Sequence, residues 1–132
     1  MSYDVLIVED DHDIRFYLEL CLSEEGIRCI SAGNGAIALE LLEAMTAAEL
    51  PSLAIVDVMM PILDGPGFVR ELQNRDLAPK LRVVMATSSL TAPKVEFFGR
   101  HCLVLSKPLD IDKLIIIIKQ NLESLKISSV SL

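Results

Sequence analysis

Positive charge and long apolar segments are both scarce in this sequence. Its 132 residues include 12 lysines and arginines against 19 aspartates and glutamates, which gives a formal net charge of −7. Because nucleic-acid binding depends on clustered cationic side chains that neutralise phosphates, this balance predicts no direct contact with nucleic acid. No segment approaches the ~20 apolar residues that a membrane-spanning helix requires, so we expect no membrane partner.

Cysteine is also scarce, and the amino terminus lacks a targeting signal. The three cysteines (Cys21, Cys29 and Cys102) are an odd number in ordinary hydrophobic contexts, which argues against a disulfide framework and suggests a reducing compartment. Residues 1–4 contain no basic region, and no cleavage site follows, so no signal peptide is expected. These absences together predict a cytoplasmic protein.

Apolar residues, by contrast, are plentiful. They make up 52% of the 132 residues, which argues against disorder and is sufficient for one domain with a single core. We predict that this domain covers residues 1–126 and ends in a helix from about Asp110 to Lys126. A short serine-rich tail that frays should follow over residues 127–132.

Short apolar runs alternate with stretches of helical spacing along the chain. Each run is typical of a strand buried in a parallel sheet. The five runs are Val5–Val8, Ile27–Ser31, Leu53–Val56, Arg82–Ala86 and Cys102–Leu105. Helical patterns follow the first three, the second of them over Ala36–Ala48, whereas residues 90–99 predict only a short or mobile helix because they contain Pro93 and few apolar anchors. The alternation predicts an α/β fold, with a parallel sheet and helices on both faces.

Polar side chains follow four of the five predicted strands. Glu9 and Asp10 come after the first strand, Asp57 after the third, Thr87 after the fourth and Lys107 shortly after the fifth. Each alone is more often a helix cap or a loop residue than a ligand. Because parallel strands bring their carboxyl ends to one edge, where open α/β sheets bind ligands, the set predicts one site with Asp57 at its centre.

The residue types at this edge suit phosphoryl transfer. Carboxylates held close together repel one another and are relieved by protonation or by a divalent cation. Oxygen ligands without histidine or cysteine favour a hard ion such as magnesium (Mg2+). Together with a lysine and a threonine hydroxyl, such an ion can hold a phosphoryl group while Asp57 attacks in line.

These residues also carry a family resemblance. The sequence Val8-Glu9-Asp10-Asp11, the stretch DVMMPILDG over residues 57–65, Thr87 and the pair Lys107-Pro108 resemble the receiver domain of two-component response regulators, similar to the chemotaxis regulator. The resemblance covers the whole chain in order. It implies a flavodoxin-like (βα)5 fold, with a five-stranded parallel sheet of order 2-1-3-4-5.

The resemblance also implies a role for each site residue. Asp57 would be the phosphoacceptor, taking its phosphoryl group from a phosphohistidine on a sensor histidine kinase or a histidine phosphotransfer protein. Thr87 would bond a phosphoryl oxygen, and Lys107 would pair with the phosphate. The Mg2+ ligands would be Glu9, Asp10, Asp57 and the backbone carbonyl of Met59. The reaction would be self-catalysed phosphotransfer and autodephosphorylation, which switches binding to a downstream protein without turnover of an external substrate.

Two other functions stay open at this point. The family usually has tyrosine or phenylalanine three residues before the lysine, and here that position is Val104. The chain could therefore be a degenerate receiver that binds partners without phosphorylation. An Mg2+-dependent phosphohydrolase with an aspartyl nucleophile is less consistent with the sequence, because haloacid dehalogenase-like enzymes place a second aspartate where Met59 stands.

The last predicted helix has one apolar residue away from its core-facing stripe. The stripe consists of Ile111, Leu114, Ile115, Ile118, Leu122 and Leu125. Ile116 falls nearly opposite this stripe. It is either an isolated exposed isoleucine or part of a contact surface, through which a homodimer or another partner would bind.

Overall fold

A parallel sheet forms the centre of the structure, a computed structural model that describes residues 2–88, 96–97 and 100–130, with side chains over 2–88 and 102–124. Its strands are β1 (Val5–Val8), β2 (Cys29–Ala32), β3 (Leu53–Asp57), β4 (Arg82–Thr87), β5 (Glu96–Phe97) and β6 (Arg100–Ser106). The order is β2-β1-β3-β4-β6-β5. β5 pairs antiparallel with the start of β6, and the other pairings are parallel. The predicted order 2-1-3-4-5 is therefore confirmed, with β6 as the fifth parallel strand.

Four helices accompany the strands in the described part of the chain. They are α1 (His12–Glu24), α2 (Gly35–Glu43), α3 (Gly65–Asn74) and α4 (Ile111–Val130). No helix among the described residues is both long and apolar enough to cross a membrane. The predicted short helix over residues 90–99 falls mostly on residues outside those described, although residues 96 and 97 within it form β5.

Two helix ends differ from the prediction. α2 ends at Glu43 and not at Ala48, because a side-chain turn replaces its continuation: the Thr46 amide donates to the Glu49 carboxylate at 2.8 Å. α4 also continues past its predicted end at Lys126, through residues 127–130 to Val130, and the frayed tail stays a prediction. Extending a helix that is already nucleated costs little, so two serines do not end it. The boundary of the domain at residue 126 stays a prediction.

The helices cover both faces of the sheet, as predicted. Val5 and Ile7 of β1 point into a core shared with α1 and α4, whereas Leu6 and Val8 point into a core shared with α2 and α3. All four side chains are at most 1% exposed. A continuous apolar run is thus needed because alternate residues face opposite layers, each of which excludes water.

Acidic and amide side chains fix where three of the helices begin. Asp11 caps α1 by accepting hydrogen bonds from the amides of residues 13 and 14. Asn34 caps α2, and Asp64 caps α3 by accepting from the Gly67 amide at 2.8 Å. These caps start α1 and α3 close behind the strands that carry the candidate site.

Gly65 allows the chain to fold back tightly after β3. Its amide donates to the Val58 carbonyl at 3.0 Å. A Cβ atom on this residue would lie 2.9 Å from the Asp57 carbonyl oxygen and 3.0 Å from the Val58 Cα, both of them backbone atoms. The absence of a side chain therefore permits the close approach of α3 to the end of β3.

We expect Gly65→Ala to destabilise the fold by about 1–3 kcal/mol, because the backbone of β3 cannot move aside without disturbing the sheet. The sign is opposite to that expected from helix propensity, since alanine is the better helix former. Urea unfolding at equilibrium measures the difference. Gly33→Ala is the matched control, because its nearest contact would be the Arg15 guanidinium at an ordinary 3.5 Å. Equal stability of the two variants would contradict the steric argument.

Candidate functional site

Three carboxylates meet at the carboxyl end of β1 and β3. These strands are neighbours, with Val8 opposite Val56, so Glu9 and Asp10 emerge beside Asp57. One carboxylate oxygen from each of the three lies within 4.8 Å of the others. Glu9 is 4% and Asp57 8% exposed, whereas Asp10 is exposed to solvent. The predicted acidic cluster is therefore present, and its open side is next to Asp10.

The ammonium group of Lys107 lies between the two buried carboxylates. Its Nζ is 3.1 Å from Glu9 Oε1 and 3.1 Å from Asp57 Oδ2. The backbone holds the lysine in this position, because the Lys107 amide donates to the Thr87 carbonyl at 2.8 Å. Lys107 and Glu9, which are 98 residues apart in the sequence, thus form an ion pair at one edge of the sheet.

Backbone amides orient the acids from the other side. Asp57 Oδ1 accepts a hydrogen bond from the Met59 amide at 3.3 Å, which leaves Oδ2 facing Lys107. Glu9 Oε2 accepts from the Asp11 amide at 3.2 Å. Each buried carboxylate is therefore fixed by one amide and one shared ammonium group.

The electrostatic balance of this cluster is incomplete. Burial, with contributions from Asp10 and Asp57, raises the pKa of Glu9 although Lys107 lies beside it. Burial acts to lower the pKa of Lys107, but its hydrogen bonds to Glu9 and Asp57 outweigh that effect and the pKa is raised. The two carboxylates thus stabilise the charged form of Lys107, yet its single positive charge does not fully compensate their negative charge. The cluster favours additional positive charge.

The other predicted site residues lie nearby. Thr87 ends β4, the neighbour of β3, and is 2% exposed. Met59 follows Asp57 with its side chain 72% exposed, and the role of its carbonyl as a metal ligand stays a prediction. Val104 is half-buried in β6, opposite Met85, and packs against the core on the side of α2 and α3. No aromatic side chain stands at that position.

One contact at the site was not predicted from the sequence. The Arg15 guanidinium donates to the backbone carbonyl of Glu9 at 2.7 Å. Arg15 lies on the polar side of α1, where a charged side chain usually faces solvent. Nothing in the helical spacing indicates that it turns back toward the preceding loop. It fixes the backbone that presents Glu9.

The donor set suits a hard divalent cation. All three side chains offer carboxylate oxygens, they converge within 4.8 Å, and no histidine or cysteine joins them among the described residues. Ions such as Mg2+ prefer one or two carboxylates and retain waters on their open side. The exposed position of Asp10 would allow such waters to remain.

Comparison with known proteins decides the family. Residues 5–119 match the response regulator receiver domain. The chain belongs to the receiver domain family. The DNA-binding transcriptional regulator NtrC of Escherichia coli K12 is 31% identical over 116 residues, which cover 88% of this chain and 24% of NtrC. This receiver domain thus spans about a quarter of the length of that curated relative.

Solved receiver domains share the fold. A CheY-like receiver domain protein of Methanospirillum hungatei has a TM-score of 0.74 at 26% identity, covering 93% of this chain and 99% of its own. The receiver domain of a signal transduction histidine kinase from Syntrophus aciditrophicus has a TM-score of 0.76 at 29% identity, covering 95% and 93%. Receiver domains act with histidine kinases and downstream effectors, and they conventionally bind Mg2+ at an acidic pocket. The flavodoxin-like fold predicted from the sequence is therefore confirmed.

We expect Lys107→Gln to lower the free energy of unfolding near neutral pH by about 1–2 kcal/mol, because two buried carboxylates lose their shared cation. A raised pKa in the folded state means that protonation of Glu9 favours folding. The loss should therefore shrink as the pH falls toward that pKa.

Urea unfolding without divalent cations, at neutral pH and near pH 5, measures both effects. Lys113→Gln is the matched control, since that lysine is exposed on α4 and pairs with neither Glu9 nor Asp57. A loss that stayed constant across the pH range would argue against the charge balance described above.

Proposed function

We propose that this receiver domain is switched by phosphorylation of Asp57. The phosphoryl group would come from a phosphohistidine on a sensor histidine kinase or a histidine phosphotransfer protein. The observation that carries the proposal is the position of Asp57 Oδ2, 3.1 Å from Lys107 Nζ, within a cluster of three carboxylates. A carboxylate used only as a helix cap or a loop residue does not need a half-buried lysine aimed at it.

The side chains at the edge of the sheet have distinct tasks in this reaction. An oxygen of Asp57 attacks phosphorus in line, the bond from phosphorus to the histidine nitrogen breaks, and the imidazole takes the electron pair. Lys107 then pairs with the phosphoryl oxygens, and the Thr87 hydroxyl donates a hydrogen bond to one of them. Mg2+, held by Glu9, Asp10, Asp57 and the Met59 carbonyl, would neutralise negative charge on the phosphoryl group.

The reaction is stoichiometric and self-catalysed. Transfer to Asp57 and later hydrolysis of the acyl phosphate both use the residues of this one site, so no external substrate is turned over. The added charge changes the surface around the site and thereby the affinity for a downstream protein. We place this two-component phosphorelay in the cytoplasm, and the acidic charge balance supports a receiver that does not itself contact nucleic acid.

A receiver that works without phosphorylation is the second candidate. Val104 favours it, because an aliphatic side chain cannot report the state of the site by rotating a ring. The acids and Lys107 favour phosphorylation, since a degenerate receiver has no need of a converged acidic cluster. The third candidate, an aspartyl phosphohydrolase, lacks its second aspartate, because Met59 occupies that position.

Incubation with acetyl phosphate and Mg2+ should add one phosphoryl group, about 80 Da, to the intact chain. Asp57→Asn should abolish the gain, because the amide is not a nucleophile, and omission of Mg2+ should abolish it as well. Intact mass spectrometry measures both results.

Asp76→Asn is the matched control, since Asp76 lies away from the site with a φ of 49° that asparagine also adopts. Loss of phosphorylation in this variant, or its retention in Asp57→Asn, would indicate that a residue other than Asp57 accepts the phosphoryl group. A wild-type chain that stays unmodified would favour the degenerate receiver.

The last helix provides a candidate contact surface. Leu114 and Ile118 are fully buried, whereas Ile116 between them is 56% exposed, as its place off the stripe predicts. We propose that this side of α4 contributes to a homodimer or to the binding of a downstream protein.

Ile116→Lys should convert a dimer to a monomer, because an ammonium group would be buried at the contact. Light scattering coupled to gel filtration, with and without acetyl phosphate, measures the mass. Gln73→Lys adds the same charge at an exposed position on α3, away from α4, and is the matched control. Equal masses for Ile116→Lys and wild type in both states, with unchanged affinity for a downstream partner, would end this proposal.

A further inference from the structure

A cavity lies at the end of the sheet opposite to Asp57. It has a volume of about 630 Å³ and lies between α4 and the first residues of β3 and β4. Its apolar walls include Leu53, Val84, Leu103 and Ile117. Leu103 is 44% exposed although it lies within a strand. The described residues therefore leave an apolar surface of β6 incompletely covered.

Asn121, one of the residues that line this cavity, carries a buried acceptor. Asn121 is 5% exposed, and its Oδ1 has no hydrogen-bond partner among the described residues. The orientation of the amide follows from its neighbours: Ser52 Oγ donates to the Asp4 carbonyl at 3.3 Å, so it accepts from Asn121 Nδ2 at 3.4 Å. Oδ1 is thus left as a buried acceptor, which is costly unless a donor reaches it.

A cation stands at the edge of the same cavity. Arg82, the first residue of β4, lines it and is exposed. Its guanidinium forms no ion pair with a residue that the structure describes, in contrast to Arg75, which pairs with Glu43 and Glu71. The cavity therefore combines apolar walls, one cation and one unsatisfied acceptor.

We propose that this cavity binds a small amphipathic organic anion. Its apolar body would lie against Leu103 and Ile117, its anionic group would pair with Arg82, and a hydrogen-bond donor on it would satisfy Asn121. A volume of about 630 Å³ is in the range of small-molecule sites, which are mostly apolar with a few placed polar groups. This site is separate from the phosphoacceptor and does not depend on its chemistry.

Anilinonaphthalene sulfonate is a suitable probe, because it has apolar rings, a sulfonate and an N–H donor. Titration of the full chain, followed by fluorescence and by methyl NMR, should show one bound dye. The methyl signals of Leu53, Val84 and Leu103 should shift, together with the side-chain amide signal of Asn121. Arg82→Gln and Leu103→Gln should each weaken binding about fivefold.

Two control variants separate this site from dye binding to other surfaces. Arg70→Gln removes an exposed cation from α3, and Ile37→Ser removes an exposed apolar side chain from α2, so neither should change the affinity. Both test substitutions are at partly or fully exposed positions, and amide NMR spectra check that the variants are folded. Binding that Arg82→Gln leaves unchanged, or shifts confined to other methyl groups, would overturn the proposal. Shifts of the cavity methyls that depend on protein concentration without dye would assign the surface to a second copy of the chain and also overturn it.

Discussion

Compensation of buried negative charge is the constraint on which this receiver domain depends. Glu9 and Asp57 are both nearly buried, and they share a single ammonium group at 3.1 Å from each. Burying carboxylates without a partner would cost more than the marginal stability of a domain of this size. The parallel order of β1, β3, β4 and β6 is what delivers Lys107 to acids so far away in the sequence. The sheet order thus places the lysine beside the acids, and the lysine in turn allows the acids to be buried in this fold.

The sequence determines some features of this fold more directly than others. The run Val5–Val8 and the run that leads to Asp57 were predicted with nearly their observed bounds, because strands buried on both faces leave no polar alternative. The convergence of Glu9, Asp57 and Lys107 follows from parallel topology alone. The end of α2 does not follow, since alanine-rich sequence continues past it and a local side-chain turn stops the helix. The contact of Arg15 with the Glu9 carbonyl is equally invisible, because helical spacing gives the side on which a residue lies but not the direction of a long side chain.

The acidic cluster lies at the carboxyl edge of the sheet, whereas Val104 lies within β6 and packs against the core. This separates two properties that the family resemblance joins. The proposed chemistry at Asp57 uses the acids, Thr87 and Lys107, and none of these roles requires an aromatic ring at residue 104. Val104 packs into the core on the side of α2 and α3, opposite Met85. A smaller side chain there removes a reporter, while the candidate site keeps its full set of charged groups. The absence of the aromatic residue therefore bears on how phosphorylation would change partner binding, and not on whether Asp57 could be phosphorylated.

Among the described residues, the loop after β3 is an exposed element that contacts Asp57 directly. The residues of β3 and β4 around Asp57 are almost inaccessible and tightly packed, so they resist displacement. The loop is different: Ile62 is 80% exposed and has a φ of 74°, a left-handed conformation that is costly for a β-branched residue. It is tied to the phosphoacceptor, because the Met59 amide donates to Asp57 Oδ1. Phosphorylation as proposed would alter that hydrogen bond, and a strained, exposed loop yields more readily than the buried sheet beneath it. The exposed apolar side chains of Met59 and Ile62 belong to this loop, so their positions on the surface would change with it.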